Sequence, residues 1–359
     1  MGKQTIIPFG PQHPVLPEPI HLDLVLEDEK VVQAIPSVGF IHRGLERLAE
    51  KREFAEMVYV GERICGICSF IHSHAFCHAI EGVMKIEVPE RAQYLRVIWG
   101  EMSRIHSHLL WLGLMADSFG FENLFMNSWR IRERLLDLIE ATAGGRVIFG
   151  SCKVGGVRRD IQADSMTDVF KELREIEEMS REITSVFEKD SSVKQRTVGV
   201  GVISKEDAYQ LGAVGPVLRA SGNAIDMRQL GYGAYGNLQF APIVETGGDC
   251  YARTMVRCRE THQSFGLIRQ AIEKITSGPI EVKITGMPTG EFFARLEQPR
   301  GEVLHYVKGN GTKFLERYRV RTPTFANVPP LVHMLAGCQL ADVPVIVLSI
   351  DPCISCTER

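Results

Sequence analysis

Apolar residues recur along residues 89–112 at the three- and four-residue spacing of a helix face. Leu95, Ile98, Met102, Ile105, Leu109 and Leu112 follow one another in this way. The spacing predicts a long helix opening at Pro89, since proline suits a first helical turn. A second helix is predicted over residues 121–143, stopped by Gly144-Gly145. Residues 165–190 mix acids and bases around Val169, Leu173 and Ile176, the pattern of an amphipathic helix. Helical patterns also cover residues 40–51, with Gly44 as a close-approach point, the stretch after Cys68 within residues 57–81, and residues 252–276. Residues 328–337 read as a helix opening at Pro329.

Strand patterns are fewer and shorter. Residues 1–19 hold five prolines, Pro8, Pro11, Pro14, Pro17 and Pro19, and are predicted to run extended. Residues 20–34 alternate as two strands about a turn at residues 27–30. Residues 282–284, 301–308 and 314–320 read as short strands, with Gly309-Asn310-Gly311 as the hairpin turn between the last two. Residues 195–250 are rich in glycine and read as loops. The apolar run 345–350 delivers Asp351-Pro352-Cys353 to the end of the chain. The predicted fold class is α+β, mainly helical, with a central bundle of long helices and small peripheral β-sheets. No repeat or linker divides the chain, so residues 1–359 are expected to form a single domain. Its expected parts are an extended and β segment over 1–40, a helical core over 41–280 and a β-containing part over 281–359.

Composition narrows the function. Hydrophobic residues are 45% and charged residues 24%, as in an ordinary globular protein. A net charge of −3 gives no electrostatic case for nucleic acid. No window reaches the roughly 18 uninterrupted apolar residues of a membrane span, and no signal-peptide pattern opens the sequence. A cytoplasmic location without a direct membrane span is expected. The nine cysteines are an odd number and read as reduced thiols.

Four of those cysteines form two Cys-x-x-Cys turns, Cys65-Gly66-Ile67-Cys68 and Cys353-Ile354-Ser355-Cys356, at opposite ends of the chain. Four thiolates from two such turns make a complete S4 site for a soft metal. The spacing alone leaves structural zinc, a redox dithiol and a catalytic metal open. Cys77, Cys152, Cys250, Cys258 and Cys338 have no partner at ligand spacing and read as buried small residues.

The flanks make the pattern specific. Arg63-Ile64-Cys65-Gly66-Ile67-Cys68, read with Asp351-Pro352-Cys353-Ile354-Ser355-Cys356, resembles the paired signature of nickel–iron hydrogenase large subunits. Gly10-Pro11-Gln12-His13-Pro14, Ile41-His42-Arg43-Gly44-Leu45-Glu46 and residues 101–110 resemble the membrane-bound, energy-converting (group 4, Ech-type) branch. That branch is similar to the quinone-site 49 kDa subunit of respiratory complex I. The resemblance runs from end to end, and the complex I relative lacks the four cysteines.

The resemblance implies the nickel–iron hydrogenase large-subunit fold and reversible reduction of protons to dihydrogen, with ferredoxin as the outer redox partner. It implies that Cys65, Cys68, Cys353 and Cys356 bind nickel, and that Cys68 and Cys356 also bridge to an iron carrying cyanide and carbon monoxide. Arg300 would overhang the metals and pair with Asp351. Arg63, His72, Pro323 and Thr324 would surround the cofactor, His72 by bonding a bridging thiolate and Thr324 by bonding a cyanide. Cys353 and then Glu18 would carry the proton away. Ser107 stands where many relatives have an aspartate near the metals. Arg359 stands where many have a histidine that binds magnesium with the glutamate matched by Glu46; a salt bridge from Arg359 to Glu46 is predicted instead of the ion. No further cysteine set can hold an iron–sulfur cluster in this chain, so an iron–sulfur small subunit is implied. Membrane subunits that translocate ions are implied the same way, placing the chain at the inner face of the membrane through its partners. The rivals are a non-catalytic, complex I-like coupling or scaffold subunit, and a structural zinc protein.

Overall fold

The computed structural model describes residues 4–14 and 16–359, excepting the side chains of 163 and 164. It opens with an antiparallel meander of β1 (Gln4–Phe9), β2 (His21–Glu27) and β3 (Lys30–Ser37). Leu22, Leu24 and Leu26 alternate along β2 and face the core. The proline-rich link between β1 and β2 turns through a cis Gly10–Pro11 bond. β3 is held from the far end of the chain, where Val31 donates to the Cys338 carbonyl at 2.9 Å and Gly337 donates back at 2.6 Å.

Two short helices follow, α1 (Leu45–Glu50) and α2 (Met57–Glu62). Helix α1 begins later than the pattern predicts because Gly44 is left-handed, with φ +66°. A Cβ there would meet nothing closer than His42 at 4.0 Å, so Gly44 serves a backbone angle rather than a close approach.

The long helices are α3 (Ser69–Met84), α4 (Glu90–Ser118), α5 (Glu122–Ala143), α6 (Ala163–Lys189) and α10 (Cys250–Lys274). Helix α4 has 29 residues and spans roughly 44 Å. It is buried on nearly every side between α3, α5 and α10. Helices α4 and α5 run antiparallel through a three-residue link. They come close at Gly113, where a Cβ would lie 2.8 Å from the Trp129 ring. Helix α6 covers α5 and α10 with its apolar stripe.

The glycine-rich region expected to be loops carries α7 (Ser191–Thr197), α8 (Lys205–Gln210) and α9 (Gly215–Arg219). Asp190 caps α7 and Ser204 caps α8. Their brevity hides them from any helical period. A two-stranded ribbon, β4 (Cys152–Lys153) and β5 (Gly156–Val157), precedes α6.

The C-terminal part departs from expectation in three places. Residues 282–284 form no strand; a single bridge joins Glu281 to Gly156. Instead β6 (Thr289–Gln298) pairs with β7 (Gly301–Asn310), which pairs with β8 (Leu315–Arg321). Strand β6 is exposed over its first half, which masks its alternation in the sequence. Helix α11 (Pro323–Leu335) opens at Pro323, six residues before the proline that marked its start, and carries Pro329 and Pro330 inside. The apolar run is α12 (Val343–Ser349), and α13 (Ile354–Glu358) ends the fold. One contiguous hydrophobic core joins the first meander, the long helices, the second sheet and α12.

Candidate metal centre

The two cysteine turns meet at helix starts. Cys68 caps α3 and Cys353 caps α13. Sγ of Cys65 lies 3.3 Å from Sγ of Cys353, and Cys68 lies 3.4 Å from Cys356. The Cys65, Cys68 and Cys356 sulfurs all fall within 4.8 Å of one another. All four are free thiols, none more than 2% exposed.

This donor set suits a soft metal. Tetrahedral sulfur ligands at ~2.3 Å from a metal have edges of roughly 3.8 Å, close to the two measured pairs, while Cys353 lies beyond 4.8 Å from at least one of the other sulfurs. Their electrostatics ask for a cation. Burial pushes the Cys356 thiol well above its ordinary range, and the neighbouring cysteines add to this. At Cys68 burial also opposes ionisation, but hydrogen bonds from Cys353, Cys356 and Cys65 outweigh it and bring the group well below that range. Four thiolates at this spacing require a positive charge among them.

Arg300 supplies one nearby cation. It sits in the turn between β6 and β7, yet its side chain is 2% exposed. Its Nε donates to the Asp351 carbonyl at 2.9 Å and Nη2 to Asp351 Oδ1 at 2.8 Å. Nη1 reaches the Ser107 hydroxyl at 3.4 Å. Burial opposes its charge, but Asp351 and the cysteines hold the guanidinium well above its ordinary range. Asp351 itself is left-handed, at φ +57°, and its Oδ2 has no partner among the described residues.

The other expected residues divide. Thr324, in the first turn of α11 after Pro323, accepts the Cys353 N–H at 3.1 Å. His72 Nε2 lies 3.3 Å from Cys356 Sγ. Glu18 accepts the N–H groups of Ile354 and Ser355, the latter at 3.0 Å, and the Ser355 hydroxyl. It thus stands at the head of α13 beside Cys353, and it lines a surface cavity of about 490 Å³ with Gln12 and His13. Arg63 is not brought to the sulfurs. Its exposed guanidinium donates to the Tyr59 carbonyl at 2.8 Å, because the end of α2 points its side chain outward.

Several residues of the site have no role assigned by the motifs. Arg43 donates to the carbonyls of Arg63 at 2.7 Å, Ile64 at 2.8 Å and Ser355 at 3.0 Å, tying both cysteine turns together. His106 bonds the Ile67 carbonyl, between the first two cysteines, at 2.8 Å; burial and Arg132 pull it down to about 3, so it is neutral. Arg104 holds the carbonyls of Glu297 at 2.8 Å and Gln298 at 3.1 Å, just before Arg300. His305 and Tyr318 extend a hydrogen-bonded chain from His72. Arg43, Arg104 and His106 lie inside the motifs that carry the resemblance, so their presence was a signal; His305 and Tyr318 lie in plain strand sequence.

Such a fold and thiol cluster define a class: large subunits of the nickel-dependent hydrogenases and their respiratory-complex relatives. The family described as "Nickel-dependent hydrogenase" matches residues 43–116. That described as "Respiratory-chain NADH dehydrogenase, 49 Kd subunit" matches residues 118–287 and 282–359. The chain belongs to this family, which joins group 4 membrane-bound hydrogenase large subunits with the 49 kDa subunits of complex I. It is 40% identical to the "Carbon monoxide-induced hydrogenase" of Rhodospirillum rubrum, over 98% of this chain and 99% of that one. It is 39% identical to "Membrane-bound hydrogenase subunit alpha" of Pyrococcus furiosus, over 98% and 87%. An NADH-quinone oxidoreductase chain of Desulforamulus reducens is 35% identical over 97% and 96%. A solved chain of the archaeal membrane-bound sulfane sulfur reductase superposes with a TM-score of 0.94 at 32% identity, covering 99% of this chain and 98% of that one.

Proposed function

We propose that this chain is the catalytic subunit of an energy-converting nickel–iron hydrogenase, interconverting two protons and two electrons with dihydrogen. The observation that carries the reading is four buried thiols gathered beneath a buried guanidinium. Cys65, Cys68, Cys353 and Cys356 would hold nickel, with Cys68 and Cys356 shared with iron. The metals, when bound, supply the two-electron redox chemistry of hydrogen. The protein supplies the rest. Arg300, fixed by Asp351, presents a positive charge over the sulfurs. Thr324 fixes the Cys353 backbone, and its hydroxyl would be the donor to a cyanide. Cys353 takes the proton, and Glu18, one residue from its backbone, passes it to the surface cavity.

Electrons leave through an iron–sulfur small subunit, with ferredoxin as the outer partner and ion-translocating membrane subunits alongside. No helix among the described residues is long and apolar enough to cross a membrane, which fits a peripheral place at the inner face. The four thiols weigh against a non-catalytic scaffold, which has no use for them. Metal analysis of the purified complex tests the reading together with infrared spectra of iron-bound cyanide and carbon monoxide. Equimolar nickel and iron with those bands are expected. Zinc alone, or no metal, overturns the proposal.

A further inference from the structure

We infer that His305 and Tyr318 are positioning residues for the metal centre, fixing the tautomer of His72 so that its Nε2–H points at Cys356 Sγ. The inference rests on the reading of Cys356 as a metal-bound thiolate.

Three contacts form one chain. His72 Nε2 lies 3.3 Å from Cys356 Sγ, and His72 Nδ1 lies 3.1 Å from His305 Nε2. His305 Nδ1 then lies 2.9 Å from the Tyr318 hydroxyl. No member is more than 1% exposed, so water does not compete for any of these bonds.

The strands explain why the chain forms. Strand β7 turns alternate residues inward, and His305 falls between Val303 and Val307 on that buried face. His305 pairs in register with Val320, which places Tyr318 two residues along the neighbouring strand on the same face. A buried imidazole and phenol among apolar residues are costly unless each is bonded. Here each is bonded to the other, and the free end of the pair is aimed at His72.

Donor counting then fixes every hydrogen. A metal-bound thiolate carries no hydrogen and only accepts. His72 must therefore carry its hydrogen on Nε2. With its one ring hydrogen on Nε2, His72 has only a lone pair at Nδ1, so His305 must donate from Nε2. His305 keeps a lone pair at Nδ1, and the Tyr318 O–H fills it. All three hydrogens point toward the sulfur. The opposite set would place the His72 Nε2 lone pair against the sulfur's own. The Gln298 amide nitrogen lies 3.2 Å from His72 Nε2, and its Oε1 has no partner among the described residues. Turned by half a rotation, that oxygen accepts from the same N–H.

The consequence is electronic. A hydrogen bond to a ligating sulfur withdraws density from the metal and raises its reduction potential. Tyr318 and His305 act on the centre only through His72, by keeping that bond made. Removing the Tyr318 hydroxyl leaves His305 free to take either tautomer, and in one of them the donor to His72 is lost.

The test uses the intact, metal-loaded complex. Tyr318→Phe deletes one hydroxyl and leaves the ring in place against Phe76. His305→Leu removes both nitrogens. His305→Gln keeps an amide donor near the position of Nε2 without needing Tyr318. Nickel and iron content is expected to match wild type in all three. The carbon monoxide band is expected to shift to lower wavenumber in Tyr318→Phe and His305→Leu, and to stay near wild type in His305→Gln. Adding Tyr318→Phe to His305→Gln is expected to change nothing further. Metal-replete Tyr318→Phe and His305→Leu proteins with wild-type bands would overturn the inference while leaving the hydrogenase reading intact. A wild-type complex with no such bands overturns the hydrogenase reading and the inference with it.

Discussion

Arg43 donates to the Ser355 carbonyl at 3.0 Å while the same guanidinium holds Ile64 at 2.8 Å and Arg63 at 2.7 Å. One side chain thereby joins two cysteine turns from opposite ends of the sequence. A planar fork reaches several carbonyls at once, and an ammonium does not. Arg43→Met should release both turns. Arg43 is exposed, so the expected cost in stability is only about 1–2 kcal/mol. The larger expected effect is on metal retention. Nickel per chain, measured after gel filtration, should fall clearly in Arg43→Met and partly in Arg43→Lys. Full retention in both would show that the turns hold each other through the metal alone.

Glu18 occupies the first turn of α13, bonded to two backbone N–H groups and a hydroxyl. Gln offers an oxygen of the same shape, so the helix head should survive the change. It cannot carry a proton. Glu18→Gln is expected to lower hydrogen turnover at least ~100-fold, the scale of one lost proton-transfer group, with nickel and iron unchanged. Wild-type turnover in the metal-replete variant would send the proton elsewhere.

Glu62 lies three residues before Cys65, is 1% exposed, and has no hydrogen-bond partner on either oxygen among the described residues. Burial raises it from an ordinary 4.5 to about 7, against weaker opposing effects from Ser73, Arg63 and Arg158. The folded state therefore holds a proton that the unfolded chain releases at lower pH. Stability should fall as pH rises from 4.5 toward 7 and then level off. The full penalty is about 3 kcal/mol. Glu62→Gln should be near neutral at pH 5 and stabilising at pH 8. Denaturation midpoints at those two values decide it; an equal effect at both would place the carboxylate in contact with water.

How much of this could be read beforehand follows from what each feature depends on. The long helices announce themselves, because α4 and α5 repeat an apolar period over many turns. The cysteine turns were legible from their flanks. Strand β6 was not, because its outer half faces solvent and its buried half, Leu296 to Gln298, is partly polar. Those polar side chains serve buried partners: Glu297 accepts from Arg219 at 2.8 Å and from the Met227 N–H at 3.0 Å, and the Gln298 amide faces His72. His305 was invisible for a related reason. A histidine in an alternating strand is ordinary, and only the fold brings it to His72. At Arg63 the motif fixes the position along the chain but not the direction of the side chain, which turns to the Tyr59 carbonyl.

Glu46 receives the Arg359 Nε at 2.9 Å, the Arg319 guanidinium at 2.5 Å and the Val320 N–H at 2.9 Å. Burial alone would raise this carboxylate, but the Val320 N–H and the Arg359 and Arg319 guanidinium groups outweigh it and hold the group below 4.5. Its contribution to stability is therefore present above that value and lost as pH falls through the lower, folded one. Two guanidinium groups already neutralise the charge that a magnesium ion would need. A divalent ion here would have to displace Arg359 and approach Arg319, at a cost in repulsion. Metal analysis of the purified complex should thus find no stoichiometric magnesium bound by Glu46, and chelation by EDTA should leave the melting midpoint unchanged. Arg359→Ala should lower stability by about 1 kcal/mol at neutral pH. Its effect should shrink at high salt, and again as pH falls through the lowered folded value of the carboxylate. A bound divalent ion at Glu46 in the wild-type protein would overturn the exchange of metal for guanidinium.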